Sequence, residues 1–389
     1  MSDVLHGDCL EIMRGMDAAS VDAIVTDPPY ELGFMGKSWD ASGIAFNVEV
    51  WRQALRVLKP GGYLLAFGGT RTYHRMTVAI EDAGFEIRDC IGWHYGSGFP
   101  KSLDVSKAID KADGIWRGRS GAVVRKSGSM SGHFYETTEK GSPVTDDAKA
   151  WAGWGTALKP AWEPVVVARK PLEGTVAANV LKHGTGAMNI DASRVPHGDD
   201  VNMDSVQRQQ NHAGNVDFGA GGLIGKEIAT YKEGGRWPAN LLLTHASDCS
   251  DEGCAPGCPC AAMDASSGGD GASRFFNRLP IEEDDLVPFI YAAKASRSER
   301  EAGCSELPER SGEVRNHHPT VKPISVMEWC IRLVTREGAL VLDPFCGSGT
   351  TGAAAVRLGR RFIGCEQSAE YVEIARARIA HHGRQLKLG

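Results

Sequence analysis

The chain predicts an α/β fold on a mostly parallel sheet covered by helices on both faces. Three observations carry that expectation. Apolar runs of strand length alternate with helical periodicity; one such run ends in a double proline; and a later run opens into a glycine-rich loop and then a helix. In sheets of this kind, ligands lie at the carboxyl ends of the strands.

A short strand begins near Val4 and leads through His6-Gly7-Asp8 into a helix predicted over Cys9 to Met16, with Asp8 suited to cap it. Val21-Asp22-Ala23-Ile24-Val25 reads as a buried strand that must stop at Asp27, because Pro28 and Pro29 cannot donate to a ladder. At such an end the Asp27 carboxylate and the Pro28 carbonyl can both accept from one planar NH2 group. The Tyr30 ring can lie flat on the aromatic ring that carries the amine. The alternative is a plain turn followed by a core tyrosine.

Glu31 to Asn47 is a glycine-punctuated loop with Phe34, Lys37 and Trp39, suited to pack around a substrate. Val48 to Leu58 has helical spacing and Lys59-Pro60-Gly61-Gly62 reads as the turn that ends it; Tyr63 to Phe67 is a core strand. Thr72 to Gly84 continues as a helix, Phe85 to Trp93 as a strand, and His94 to Ser102 as a glycine-rich loop with aromatic and basic groups. Arg117 to Thr145 lacks apolar periodicity and is expected to be mobile, or ordered on a partner. Trp162 to Arg169 returns to the sheet as a strand.

From Leu172 to about Pro288 the sheet signals fade, leaving short pieces such as Gly184 to Ile190 and Arg236 to Leu243. Within this stretch stand His245, Cys249, Cys254, Cys258 and Cys260. Their spacing matches no standard ribbon or finger, so thiols in a tight loop are the default and a tetrahedral zinc site the alternative. Phe289-Ile290-Tyr291 leads back to the sheet, Ile324 to Thr335 is an amphipathic helix, and Ala369 to Ala380 is the last helix, ending in a basic tail.

Leu340-Val341-Leu342-Asp343-Pro344-Phe345-Cys346-Gly347-Ser348-Gly349-Thr350 reads as strand, glycine loop and helix start. There the backbone can approach a ligand closely and unpaired N–H groups await an acceptor. The next strand, Arg361 to Cys365, ends in Glu366, about 20 residues beyond the loop, where an acidic side chain can hold both hydroxyls of a ribose.

The Asp27-Pro28-Pro29-Tyr30 tetrad near one end and the Asp343 to Gly349 loop near the other resemble the amino-methylating DNA methyltransferases in their permuted, beta-class order. His318-Pro319-Thr320-Val321-Lys322-Pro323 resembles a further element of that family. The resemblance implies a Rossmann-like S-adenosylmethionine-dependent fold with seven strands. Asp27, Pro28, Pro29 and Tyr30 would be catalytic. Asp8, Thr320, Lys322, Asp343, Phe345, Gly347, Ser348, Gly349 and Glu366 would hold the cofactor, with Asp8 on the adenine amine and the Thr320–Lys322 element on the methionine end.

It further implies double-stranded DNA as substrate, a flipped base and direct methyl transfer without a cysteine nucleophile. Residues 172–290 would be an inserted target-recognition region between catalytic halves at 1–171 and 291–389, with a mobile loop at about 111–150. Asp at the first tetrad position usually accompanies adenine N6 in such families, and Ser cytosine N4; physically both amines would satisfy the site. The family often pairs as homodimers and can accompany a restriction endonuclease.

Composition fits an ordinary cytoplasmic protein: 389 residues, 42% hydrophobic and 24% charged, with no apolar run of membrane-spanning length. Most of the ten cysteines sit singly in apolar segments, as buried thiols of a reducing compartment do. A net charge of -6 is not that of a typical DNA protein, so phosphate contacts fall to local clusters: Arg117 to Arg119, Arg125-Lys126, Lys294 to Arg300 and Arg357 to Arg361. Three other functions compete. RNA or protein amide methyltransferases usually carry Asn first in the tetrad, a decayed DNA binder would show a broken motif, and a nicotinamide or flavin enzyme would need a third loop glycine, which is missing here.

Overall fold

The structure, a computed structural model, describes residues 2–32, 41–95, 102–117, 123–125, 142–195, 235–245, 249, 254, 258–266, 272–279, 295, 297–309 and 314–385. The expected features at Phe34, Lys37, Trp39, Lys126, Phe289 to Tyr291 and Lys294 lie outside the described residues. The chain divides into two compact units, Met1–Ser97 with Trp162–Gly389, and Gly98–Ala161.

In chain order the first unit opens with β1 (Ser2–His6), α1 (Cys9–Gly15), β2 (Val21–Thr26), α2 (Val48–Val57), β3 (Leu58–Phe67), α3 (Tyr73–Asp82) and β4 (Glu86–Tyr95). The second unit holds α4 (Val105–Ala112), the hairpin of β5 (Ile115–Arg117) and β6 (Val123–Arg125), and α5 (Asp146–Ala150). The first unit resumes with β7 (Trp162–Arg169), α6 (Val176–His183), β8 (Leu241–Thr244), α7 (Pro259–Ser266) and β9 (Asn277–Leu279). It closes with α8 (Arg297–Glu301), α9 (Ile324–Val334), β10 (Leu340–Asp343), α10 (Thr350–Arg357), β11 (Arg361–Glu366) and α11 (Ala369–Gln385).

The sheet runs β1-β11-β10-β2-β3-β7-β4-β8-β9. Its pairings are parallel except on the two sides of β7, which is antiparallel to β3 and β4. The strands therefore point one way with a single exception. Alternate residues feed two cores, as the period of two in a strand requires. Ala23, Val25, Leu65 and Phe67 face one layer with Trp329 and Ala375, while Ile24, Leu64 and Ala66 face the other with Trp51 and Ile80.

Among the described residues the sheet has nine strands where seven were expected. The seven are β1, β11, β10, β2, β3, β7 and β4; β8 and β9 come from the 172–290 stretch and extend the edge beyond β4. Their runs, four and three residues long, are too short to stand out in polar sequence, and pairing with a long neighbour makes them strands.

A second difference concerns Lys59 to Gly62, which lie inside β3 and not in a turn after α2. Lys59 donates to Asp22 at 2.6 Å, and Asp22 also accepts from Leu340 N at 2.7 Å, so β2 binds both flanking strands at their start. Gly61 has φ 75°, and a Cβ there would lie 2.4 Å from Asn179 Nδ2, the group that donates to Pro60 O. The glycine admits α6 against the strand.

In the second unit Arg117, expected in a phosphate-facing cluster, is buried. It pairs with Asp110 at 2.5 Å and donates to Ser106 O at 2.8 Å, while Asp110 accepts from Val144 N and Thr145 N. These bonds lower the Asp110 carboxyl against the raising effect of burial. Residues 142–145, read as mobile, are thereby anchored to α4. Of the cysteines read as buried, Cys9, Cys330, Cys346 and Cys365 are so, but Cys90 is exposed, the last of three exposed residues, Arg88 to Cys90, on β4. No helix among the described residues is long and apolar enough to cross a membrane.

Candidate active site

Two groups of side chains form at the carboxyl end of the central strands. β2 pairs with β10 at Ala23–Val341 and Ile24–Leu342, so the tetrad after β2 and the glycine loop after β10 leave the sheet side by side. Asp343 fastens them together. It accepts from Thr26 Oγ1 at 2.6 Å, from Thr351 Oγ1 at 2.6 Å and from Phe345 N at 3.0 Å. Burial pushes its carboxyl up to about 6, against the lowering effect of these donors. These bonds tie the end of β2 and the start of the glycine loop to one carboxylate.

Around the tetrad, Asp27 is ion-paired through Oδ2 with Lys322 Nζ. Lys322 is 2% exposed and lies 3.6 Å from Glu163. Glu163 in turn accepts from Tyr30 Oη at 2.6 Å and Tyr95 Oη at 3.2 Å. The ammonium sits 5.2 Å from the Tyr30 ring centre and 5.1 Å from that of Phe67. One cation thus stands between two carboxylates in a wall of aromatic rings. Asp27 Oδ1 is shielded from water and has no hydrogen-bond partner among the described residues. Burial and the Asp27 and Glu163 charges hold the Tyr30 phenol well above its ordinary value, so it stays a neutral donor. Pro28 is buried and Pro29 half-buried. Thr72 Oγ1 donates to Tyr30 O at 2.7 Å, and Glu31 turns the chain at φ 55°.

The glycine loop is held from below. Gly347 and Gly349 adopt φ 52° and 81°; a Cβ on Gly347 would fall 2.8 Å from the His318 ring, and one on Gly349 would fall 2.9 Å from Ala375 Cα. Gly347 N donates to Glu366 Oε2 at 2.9 Å and Ser368 N to Oε1 at 2.8 Å. Asp8 Oδ1 caps α1 through Leu10 N at 2.9 Å, and Asp8 Oδ2 accepts from Gln367 at 2.9 Å. β1 pairs with β11 at His6–Glu366, so Glu366 ends its strand beside the turn that carries Asp8. Burial raises the Glu366 carboxyl above its ordinary value.

The predicted residues therefore fall into two sets. Asp27 and Tyr30 come together with Lys322; Asp343, Phe345, Gly347, Ser348, Gly349, Glu366 and Asp8 gather around the loop. Lys322, assigned by resemblance to the cofactor's methionine end, is placed on Asp27. The Ser348 hydroxyl accepts from buried Arg378 at 3.1 Å, and Phe345 packs against Trp51. Thr320 is joined to the loop through its neighbour, since Thr320 N donates to His318 Nδ1 at 3.4 Å. His318 is desolvated and faces Arg300, Arg378 and Lys322, which lowers its imidazole to about 3.

Glu163 and Tyr95 were given no role by sequence, while His318 was read only as part of the family element and Arg378 only as part of a basic tail. Glu163 is an acid at the head of an apolar strand, and the antiparallel course of β7 brings that head to the active end of the sheet, with Glu163 opposite Trp93. Arg378, read as part of a basic tail, is fully buried; it follows Ile374 and Ala375 on the apolar face of α11 and donates to Ser348 O at 2.8 Å. The Arg357 to Arg361 cluster is also engaged internally: Arg357 with Glu328, Arg360 with Thr335 O and Arg361 with Gly338 O.

Beyond β8, at the same carboxyl end of the sheet, His245, Cys249, Cys254 and Cys258 converge, with their ligand atoms within 4.8 Å of one another.

The chain matches the DNA methylase family over residues 21–377 and belongs to it. It is 24% identical over 336 residues to the Type II methyltransferase M.HindIII of Haemophilus influenzae, a match covering 85% of this chain and 68% of that protein. A 62-residue stretch is 56% identical to the Type II methyltransferase M2.DpnII of Streptococcus pneumoniae, covering 16% of this chain and 23% of that one. Among solved structures, the PvuII DNA methyltransferase (cytosine-N4-specific) aligns over 99% of this chain and 92% of its own at 15% identity, with a TM-score of 0.45.

Proposed function

We propose that this member of the DNA methylase family transfers a methyl group from S-adenosylmethionine to the N6 amine of a flipped adenine in double-stranded DNA, at one short sequence. The protein is a site-specific DNA methyltransferase of the N6/N4 family. Adenine is the finer reading, and it rests on Asp27 as the first residue of the tetrad.

The observation that carries the chemistry is the unpartnered Asp27 Oδ1. Lys322 holds Oδ2, so the carboxylate is fixed with one oxygen left for a donor. An exocyclic amine has its lone pair delocalised into the base. Accepting its N–H at Asp27 and at the Pro28 carbonyl favours the tetrahedral, more nucleophilic nitrogen. Tyr30, pinned by Glu163, offers the base a stacking face in place of the one lost on leaving the duplex. Asp27 receives the proton displaced from the amine as the new bond forms.

The residues present suit the cofactor. The left-handed turns at Gly347 and Gly349, packed so closely on His318 and Ala375 that only glycine fits, shape the loop after β10, and Glu366, with Asp8 just beyond the neighbouring strand β1, stands where ribose and adenine donors can be met. When bound, S-adenosylmethionine supplies a methyl group already activated by its sulfonium, so the protein's task is alignment.

Methylation-sensitive sequencing and nucleoside mass spectrometry, on DNA from cells expressing wild-type protein or Asp27→Ala, test this reading. N6-methyladenine at one sequence, absent in the variant, is the expected result. N4-methylcytosine would keep the mechanism and overturn the base; no methylated base would overturn the substrate.

A further inference from the structure

The four side chains that converge beyond β8 have the donor set and spacing of a metal centre. His245 directly follows β8, whose last residue Thr244 pairs with Tyr95 and accepts from Trp93 Nε1 at 2.7 Å, so the imidazole is carried on the sheet. Cys258 immediately precedes α7 and is fully buried; Cys249 is half-buried and Cys254 exposed. Cys254 Sγ lies 3.3 Å and Cys258 Sγ 3.6 Å from His245 Nδ1, and all four ligand atoms, with Cys249 Sγ, fall within 4.8 Å. A tetrahedral zinc ion with ordinary Zn–S and Zn–N bonds would set its ligands about 3.6–3.8 Å apart. The spacing is that of one ion, too tight for an iron–sulfur cluster.

We propose that His245 Nδ1, Cys249, Cys254 and Cys258 bind a structural zinc ion. Two further features support a built site. Cys260 Sγ lies 3.7 Å from His245 Nε2, the nitrogen a Nδ1-ligating histidine leaves to donate outward, so Cys260 orients the ring and does not ligate. Around Cys258, Cys260 and Cys249 pack Leu243, Leu241, Ala261, Met263 and Phe276, an apolar wall on the buried side of the site. Four protein donors close the coordination sphere, which makes the ion structural and not catalytic. Its effect is to staple the start of α7 to the end of β8 through residues that build little core of their own. The staple joins the sheet one strand from Tyr95, and so ties part of the 172–290 stretch to the edge of the active site.

The test is elemental analysis of full-length protein, expressed without a histidine tag and purified without chelator, together with titration of the metal-stripped protein with Co2+. About one zinc per chain is expected, with the intense visible bands of tetrahedral, thiolate-ligated cobalt. Cys254→Ser and His245→Ala should lose the zinc, whereas Cys260→Ser and Cys90→Ser should keep it. Protein that takes up no zinc after incubation with excess metal, or cobalt with weak octahedral bands, would overturn the site. Retention of zinc by Cys254→Ser, or its loss from Cys260→Ser alone, would overturn the ligand set. Should the ligand variants not fold, the cobalt spectrum of wild-type protein decides the matter by itself.

Discussion

Replacing Lys322 with methionine keeps an unbranched side chain one atom shorter and removes its charge, leaving Asp27 and Glu163 to face each other without their shared cation. At an effective dielectric of about 20, a charge pair roughly 4 Å apart is worth about 4 kcal/mol. Lys322 makes two such pairs, with Asp27 and, at 3.6 Å, with Glu163. Desolvating the ammonium offsets much of that gain, but removing one member of a buried set strands the rest and typically costs about 3–5 kcal/mol. At about 2–4 °C per kcal/mol, the melting transition of the sheet should fall by roughly 6–20 °C. Circular dichroism melts of Lys322→Met, Glu163→Gln and the double variant would measure it. The double variant should lose at least about 1 kcal/mol less than the two single losses combined, because neutralising Glu163 relieves the charge that Lys322 no longer balances. Strict additivity, or a single variant as stable as wild type, would refute the claim that this ammonium balances the two carboxylates. Methyl transfer by Lys322→Met should fall by about a hundredfold, since a drift of about 1 Å in Asp27 is enough for that.

Three further outcomes follow from the same geometry. The His318 imidazole is held down to about 3, so the fold favours its neutral form; that stability is present above the unfolded value near 6.5 and is lost as pH falls toward 3. Relative to wild type, His318→Gln should therefore lose less stability, by about 1 kcal/mol per pH unit, in urea titrations between pH 6 and pH 4. Gly347→Ala must place a Cβ 2.8 Å from that ring at φ 52°, and should weaken S-adenosylmethionine binding at least about tenfold by calorimetry while the fold persists. Tyr30→Phe keeps the stacking ring but leaves Glu163 without its 2.6 Å donor; it should destabilise by about 1–3 kcal/mol in chemical denaturation and retain measurable transfer, unlike Tyr30→Ala.

Much of this was legible where chemistry is written locally. The proline pair fixes where β2 ends, the glycines fix the loop after β10, and strand–helix alternation gives the sheet. What needs three dimensions was not. β7 reads as an apolar strand in either direction, and only its antiparallel course brings Glu163 to the active end. Lys322 belongs to a recognisable element, but its pairing with Asp27, far away in the chain, is set only by the fold. Arg117 and Arg378 look like surface cations because a basic residue is usually solvated. Each is buried because a specific acceptor waits for it, Asp110 for one and the carbonyl of Ser348 for the other. β8 and β9 are strands by virtue of a neighbour, and single-strand patterns do not encode neighbours.

The division of labour between the two loops is tested most directly by measuring S-adenosylmethionine affinity and single-turnover methyl transfer on the same preparations of wild type, Asp27→Asn and Glu366→Ala. Asp27→Asn should bind the cofactor within about threefold of wild type and lose transfer by about a thousandfold or more, as removal of a positioned acceptor does. Glu366→Ala should lose affinity instead. Full transfer by Asp27→Asn, or loss of its cofactor binding, would contradict the assignment of the target amine to Asp27.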